Sequence, residues 1–348
     1  MRMPTVPLAQ VKLGDRFASD VITPLGGTLF RKGRVVTSRE YEILQAFLVK
    51  QVDIEPREGI EEVISEDASM TRFDVEYERL ISLVRRIFVS NTSGIGLPIM
   101  DIRTQLEKVL AQIDEYNVLT FRPRIVEKQD YLYHKSVLTA VTSYLLAQWC
   151  SFPKKDWVPV ALAGLFHDIG MFRVDPAILY KPSRLTATEK EEMQNHTRHG
   201  YNLLKNVAAV NEGVRLAALQ HHEKMDGSGY PLGLKGDNIH PYARLVAVAD
   251  VFHSITLERS YSKPISPYLA LEQVQNESFG KLDPVIVRTL IEKLTSFHNG
   301  MVVRLSDNRL GEIVFTDRNN PTRPLVSVNG QIVNLVTERG IHIESVIR

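Results

Sequence analysis

The 348-residue chain has a single cysteine, Cys150, so no disulfide can form within it. No apolar run approaches the roughly 18 residues that a membrane-spanning helix needs, and the longest lies around residues 158–166. The first residues lack the apolar segment of a secretion signal. Neither charge sign dominates, because 42 Lys and Arg face 41 Asp and Glu, which argues against a nucleic-acid polymer or a membrane as partner. These absences favour a cytoplasmic protein.

The residues that are present indicate a globular chain with a concentrated group of histidines. Hydrophobic residues make up 44% and charged residues 24% of the sequence, which is typical of a protein with a buried core. Eight of the ten histidines fall between His134 and His253. This stretch is therefore where chemistry is expected.

The pattern along the chain predicts a mainly α protein with a small module at each end. Short β-rich runs and one helix-like stretch indicate an N-terminal α+β module. An acidic linker and two amphipathic helices follow, which would suit either dimerisation or packing on their own domain. A long all-α region comes next, and alternating residues near the C-terminus predict a small β-barrel or meander. The expected boundaries are 1–56, 57–120, 121–297 and 298–348.

Imidazole and carboxylate groups recur at intervals in the all-α region. They are His167 and Asp168, His196, the pair His221 and His222, and Asp250. Such groups are ligands of Fe, Mn, Zn and Ni, and a carboxylate can bridge two ions. Each of these residues or pairs, taken alone, is also compatible with a capping, core or surface role.

Local context strengthens two of these pieces. Asp250 lies in an apolar helical stretch, where an unpaired carboxylate would be costly to bury. Thr186 and Glu189 form the pattern of a capping box, which predicts a helix with His196 near its middle. The Gly-rich loop at residues 226–231 contains Gly229, which would let the backbone approach a ligand, and Tyr230, which offers an aromatic face.

The ordered motifs resemble the HD-GYP family, a branch of the HD metal-dependent phosphohydrolases associated with cyclic di-GMP hydrolysis. The resemblance covers roughly residues 128–291. It implies a helical HD-type domain that holds one or two divalent ions, and a bacterial signalling role. It further implies that Asp168 and His167 are catalytic, with Asp168 bridging, and that Tyr230, Gly229, Arg259 and Lys263 are near the ligand. The implied metal ligands are His167, Asp168, His196, His221, His222 and Asp250.

The sequence departs from the family pattern at positions that carry charge in the site. Lys135 stands where the family has a histidine ligand of the first metal, and its ammonium could take that metal's place. His134 is one residue early and points about 100° away on a helix. The other departures are Met171 in place of a phosphate-contacting Lys, His253 in place of Asp, and Ser262 in place of Arg or Lys.

Three functional hypotheses follow from these departures. The first is a degenerate HD-GYP protein that retains a metal and binds a cyclic dinucleotide or a signalling protein, with weak or absent hydrolysis. The second is an active cyclic di-GMP phosphodiesterase, because six ligands persist and His134 could adapt. The third is a phosphohydrolase of another nucleotide or phosphate ester. The sequence also leaves a homodimer open.

Overall fold

The structure, a computed structural model, describes two compact units. The described residues are 5–23, 27–47, 49–55, 70–90, 98–123, 130–257, 265–295 and 299–347. A helical unit comprises Met70–Ile265 and Ala270–Leu294, and an α+β unit comprises Met1–Ser69, Ser266–Leu269 and Thr295–Arg348. Among the described residues, no helix has the length and apolar character required to cross a membrane.

Helices account for nearly all regular structure between residues 70 and 294, and a short helix also precedes them. The helices are α1 (Ser38–Ala46), α2 (Arg72–Ser90), α3 (Ile99–Leu110), α4 (Tyr131–Trp149), α5 (Lys154–Phe166), α6 (Pro176–Leu179), α7 (Ala187–Gln194), α8 (His196–Leu204), α9 (Glu212–Gln220), α10 (Pro241–Thr256), α11 (Pro267–Glu277) and α12 (Pro284–Leu294). The predicted mainly α class is confirmed.

Helices α4, α5 and α10 form the centre of the helical unit because each is apolar around most of its circumference. Gly164 lets α4 and α5 approach closely. A Cβ at this position would lie 2.8 Å from the Cα of Ala140 and 2.9 Å from the carbonyl oxygen of Thr139. The glycine therefore lets the end of α5 pack closely against the middle of α4.

One predicted helix is divided in two. The capping box at Thr186 and Glu189 is present and starts α7, as predicted. However, α7 ends at Gln194, and α8 begins at His196. The prediction that His196 lies mid-helix is therefore wrong. Its imidazole bonds back to the carbonyl oxygen of Met193 at 2.7 Å, which holds the ring at the junction of the two helices.

The strands belong to the α+β unit and pair antiparallel. Two small ribbons join β1 (Thr5–Pro7) to β4 (Gln51–Asp53) and β2 (Val21–Ile22) to β3 (Thr28–Phe30). A five-stranded sheet has the order β8-β7-β6-β5-β9. Its strands are β5 (Val302–Leu305), β6 (Leu310–Phe315), β7 (Leu325–Val328), β8 (Gln331–Asn334) and β9 (Ile343–Ile347).

The two ends of the chain share one hydrophobic core. Val302 and Ile347 of the C-terminal sheet are buried in the same cluster as Phe17, Phe30 and Leu44 of the N-terminal segment. The sequence pattern predicts separate modules at residues 1–56 and 298–348, and those boundaries stay a prediction. The structure adds that the two segments pack together. The acidic linker at residues 58–69 lies outside the described residues.

Candidate metal centre

The ends of several helices bring the predicted ligands together. His167 directly follows α5 and His221 directly follows α9, while Asp250 lies within α10. The side chains at these three positions point into one buried space. Ligand atoms within 4.8 Å of one another define two overlapping groups. The groups are Asp168, His196, His221 and His222, and then His167, Asp168 and Asp250.

The first group presents electron pairs that face one another. His196 Nε2 lies 3.3 Å from His221 Nε2, and both atoms lie near Asp168 Oδ1, at 3.4 and 3.5 Å respectively. The Nδ1 atom of His196 donates to the carbonyl oxygen of Met193, and that of His221 donates to Ala217. Because each Nδ1 atom is a donor, the Nε2 atoms are the ring atoms that can act as metal ligands.

Charges in this group support a cation site. Burial lowers the pKa of His196 to about 4 and lowers the pKa of His222 well below its ordinary value, so both rings are neutral near pH 7. Asp168 Oδ1 is buried and accepts no hydrogen bond from any described residue. Buried acceptors without donors are costly. These residues therefore fit a divalent cation, with Nδ1 contacts of the kind that orient metal-binding imidazoles.

The second group already contains a cation from the protein itself. Lys135 Nζ lies 2.6 Å from Asp168 Oδ2 and 2.6 Å from Asp250 Oδ1. Burial opposes the charged ammonium, but the two carboxylates outweigh burial and raise the pKa of Lys135. Lys135 thus remains charged and has no lone pair for a metal. The ammonium therefore lies between the carboxylates with which this group could hold an ion.

His167 contributes further positive charge to this second group. Its Nε2 lies 3.2 Å from Asp250 Oδ1 and 3.3 Å from Asp168 Oδ2. Burial opposes protonation, but the two carboxylates raise the pKa of His167 to about 9. Two cationic side chains therefore face two carboxylates, and the group is electrically balanced without an added ion.

His134 is not part of either group. It lies in α4 with its Nδ1 atom 2.7 Å from the hydroxyl oxygen of Tyr77 in α2, and the two rings are stacked. Burial lowers the pKa of His134 to about 4. The helix keeps its register, so Lys135 rather than His134 faces Asp168.

The other divergent residues lie near the site without extending it. His253 is one turn beyond Asp250, and its Nε2 atom lies 2.7 Å from Thr142 Oγ1 in α4. Met171 lies in a short 3₁₀ segment, Ile169–Arg173, which directly follows the His-Asp pair. Neither side chain replaces the family's charged group.

The loop at residues 226–231 covers one side of the His cluster. The phenol ring of Tyr230 stacks on His222, with centroids 4.7 Å apart and an interplanar angle of 23°. A Cβ on Gly229 would lie 2.4 Å from the backbone nitrogen of Lys224, so the glycine permits tight packing of this loop. Glu223, to which sequence reasoning gave no role, is buried beneath the loop.

The remaining predicted ligand contacts lie outside the described residues. Arg259 and Lys263, together with the divergent position Ser262, belong to residues 258–264. Their expected roles stay predictions.

Comparisons with known proteins agree with this fold. Residues 120–286 match the family model described as an HD domain. A cyclic di-GMP phosphodiesterase of Pseudomonas aeruginosa is 33% identical over 61% of this chain and 51% of its own length. A 3'3'-cGAMP-specific phosphodiesterase of Vibrio cholerae is 30% identical over 69% of this chain and 54% of its own length. The chain thus spans about half the length of these relatives.

A solved structure shares the overall fold. A Bdellovibrio bacteriovorus protein described as HDG"Y"P matches with a TM-score of 0.52 and 15% identity, over 85% of this chain and all of that one. The helical unit with its His-Asp cluster is thus that of an HD-domain protein. The resemblance to the HD-GYP family seen in the sequence is thereby confirmed.

Proposed function

We propose that this protein binds a cyclic purine dinucleotide and holds one divalent cation, with weak or absent phosphodiester hydrolysis. One observation carries the proposal: Lys135 Nζ lies 2.6 Å from both Asp168 and Asp250, where the family pattern implies a metal. A monocation there neutralises the carboxylates that would attract a dication. It also repels a second ion brought nearby.

The proposed metal ligands are Asp168, His196, His221 and His222. A divalent cation bound there, such as Fe, Mn, Ni or Zn, would act as a Lewis acid toward a phosphate oxygen. The protein's own groups would do the rest. Tyr230 offers an aromatic face to a base, and Lys135 stabilises Asp168 in its ionised form.

Reduced turnover follows from the groups that are missing. Two-metal sites clamp both the attacking and the leaving oxygen of a displaced phosphate. Here, one clamp is replaced by the ammonium of Lys135, and Met171 supplies no charge for the phosphate. Losing a single such electrostatic contact costs about 10²- to 10³-fold in rate in other enzymes.

The proposed ligand class rests on the relatives. Their names assign cyclic di-GMP to one and 3'3'-cGAMP to another, and both molecules are cyclic purine dinucleotides. The stacked Tyr230 face is compatible with either base. Which of the two is bound is decided by titrating each into the metal-loaded protein in a calorimeter.

The test replaces Lys135 with the family's histidine. Lys135→His, alone and with Met171→Lys, should raise the metal content from one toward two ions per chain and should raise turnover of cyclic di-GMP. The matched control is Lys190→His, because Lys190 is an exposed lysine in α7. Metal content is measured after anaerobic loading with Fe(II) or Mn(II).

The competing hypotheses are distinct outcomes of the same experiment. Two ions per wild-type chain, with turnover that the substitutions do not increase, would establish an active phosphodiesterase and refute the proposal. Hydrolysis of a phosphate monoester but not of either cyclic dinucleotide would establish another phosphohydrolase. Binding of a cyclic dinucleotide without cleavage supports a receptor role. The bound protein would then interact with a signalling protein or with a second copy of the chain.

A further inference from the structure

We propose that Glu223 is a positioning residue that fixes Tyr230 over the metal-site imidazole of His222. The consequence for cyclic dinucleotide binding rests on the proposed function. The proposal concerns the GYP loop, defined here as residues 226–231, and the residues that follow it directly.

The carboxylate of Glu223 joins the loop to the helix end that carries the histidines. Oε1 accepts a hydrogen bond from the backbone N–H of Leu232 at 2.7 Å, and Oε2 accepts one from Leu234 at 2.9 Å. The Glu223 residue is only 2% exposed. Both oxygens of one buried carboxylate therefore bind the chain just after the loop.

Backbone contacts fix the beginning of the loop and the main chain of Tyr230. The backbone N–H of Asp226 donates to the carbonyl oxygen of Gly280, and that of Tyr230 donates to His222. Gly229 packs so tightly that a Cβ would lie 2.5 Å from the Cα of Glu223. Two side chains hold the far end of the loop. The Glu223 carboxylate binds the chain just after it, and the Arg198 guanidinium donates to the carbonyl oxygen of Pro231 at 3.3 Å.

A carboxylate is chemically required for this double contact. Both partners are N–H donors, so both side-chain atoms must accept. A glutamine has the same shape but only one acceptor oxygen, and its NH₂ group would face an N–H. One buried donor would lose its partner, and the loop would no longer be held in one position.

The position of Tyr230 is the quantity that Glu223 controls. Tyr230 stacks on His222 at 4.7 Å, and His222 precedes Glu223 in the chain. Displacing the loop's far end would therefore shift the phenol ring from its stacked position, even with the backbone hydrogen bond from Tyr230 to His222 in place. Because only the stacked arrangement presents the phenol face at the metal cluster, the binding-competent fraction would fall and the apparent affinity with it.

The first test observes the ring pair without any dinucleotide. Selectively labelled histidine in the protein loaded with Zn(II), which is diamagnetic, reports the ring-proton resonances of His222, which the Tyr230 ring current displaces. Tyr230→Leu defines the unstacked value. Glu223→Gln should move the resonances at least halfway to that value, and the control Glu212→Gln, at an exposed position in α9, should leave them unchanged. Unchanged resonances in Glu223→Gln would overturn the proposal.

The second test measures affinity for cyclic di-GMP by calorimetry. Glu223→Gln should weaken binding about 10-fold, as expected for loss of one charged hydrogen bond. The double variant with Tyr230→Leu should bind no more weakly than Tyr230→Leu alone, because both changes remove the same contact. Additive losses would contradict the proposal.

The two proposals fail in different ways. A wild-type protein that binds neither cyclic di-GMP nor 3'3'-cGAMP refutes the proposed function, while the His222 resonances still decide the role of Glu223. If Glu223→Gln does not fold, the wild-type protein gives the answer through hydrogen exchange. Slow exchange of the Leu232 and Leu234 amides supports the carboxylate anchor, and exchange at the rate of an open loop overturns it.

Discussion

Lys135 is a buried cation that pairs with two carboxylates, Asp168 and Asp250. Burial raises the pKa of Asp168, but Lys135 and His167 outweigh that effect and hold the pKa well below its ordinary value. Asp250 is held ionised by the same two residues. The ammonium is therefore part of the folded structure as well as of the site.

Removing that charge should destabilise the metal-free protein. Lys135→Met keeps most of the volume but leaves Asp168 and Asp250 with His167 alone, and breaking a buried ion pair costs about 3 to 5 kcal/mol. We expect the free energy of unfolding, measured by urea titration in a chelator, to fall by about 3 kcal/mol. Excess Mn(II) should restore part of it. The exposed control Lys190→Met should change little, and equal stability of Lys135→Met would contradict the assigned contacts.

His134 should make stability depend on pH. Its pKa is lowered to about 4 by burial, whereas an unfolded histidine titrates near 6.5. Between these values the unfolded chain binds the proton and the folded chain does not, so stability falls as pH drops from 6.5 toward 4. Between pH 7 and pH 5, the free energy of unfolding of the wild-type protein should fall by about 2 kcal/mol more than that of His134→Gln, as measured by urea titration. An equal fall in the free energy of unfolding of the wild-type protein and of His134→Gln would contradict this prediction. The control is His199→Gln, which should show the same pH dependence as the wild-type protein.

The sequence predicted the residue types of the site better than their partners. His134 was expected to point away from Lys135 because helical geometry is local, and the structure places it so. Its partner Tyr77 lies 57 positions away, and no local pattern encodes such a contact. The buried role of Glu223 was missed for the same reason, although its place directly after two histidines was a signal.

Among the elements, the junction of the 3₁₀ segment with α8 controls the position of His196. Gly170 lies against this junction. A Cβ there would lie 1.9 Å from the carbonyl oxygen of His196 and 2.5 Å from the nitrogen of Gly200. Only backbone movement could relieve such a contact.

Gly170→Ala should therefore separate these elements. We expect a loss of about 3 kcal/mol in the free energy of unfolding, at the upper end of overpacking costs. Metal affinity should fall as well, because His196 would shift from Asp168. Calorimetric titration of Mn(II) checks the affinity. In the control Gly340→Ala, nothing lies within 4 Å of the added Cβ, so stability should be unchanged. A stable Gly170→Ala protein with normal affinity would contradict the assigned packing.

The break between α7 and α8 shows where periodicity fails as a guide. The capping box identified the start of α7 because its signal is local. The end at Gln194 was not predicted, since Asn195 has near-helical backbone angles and no Gly or Pro marks the stop. β1 and β9 were also missed, because short edge strands acquire their partners only in the folded sheet.

At the scale of the molecule, the two ends of the chain form one core that local patterns could not reveal. Val302→Ala should remove buried contacts shared by both ends and cost about 2 kcal/mol. Amide exchange of β3, in the N-terminal segment, should then accelerate about 30-fold, as that free energy implies. The control is Ile332→Ala, since Ile332 is 56% exposed in the same sheet. Unchanged exchange in β3 would mean that the ends are independent.

In our proposal, the chain holds one divalent ion because Lys135 occupies the place of the other. Metal analysis of the wild-type protein after anaerobic loading with Mn(II) tests it most directly, with Lys135→His measured beside it. We expect one ion per wild-type chain, and a second ion only in Lys135→His. Two ions per wild-type chain would contradict it.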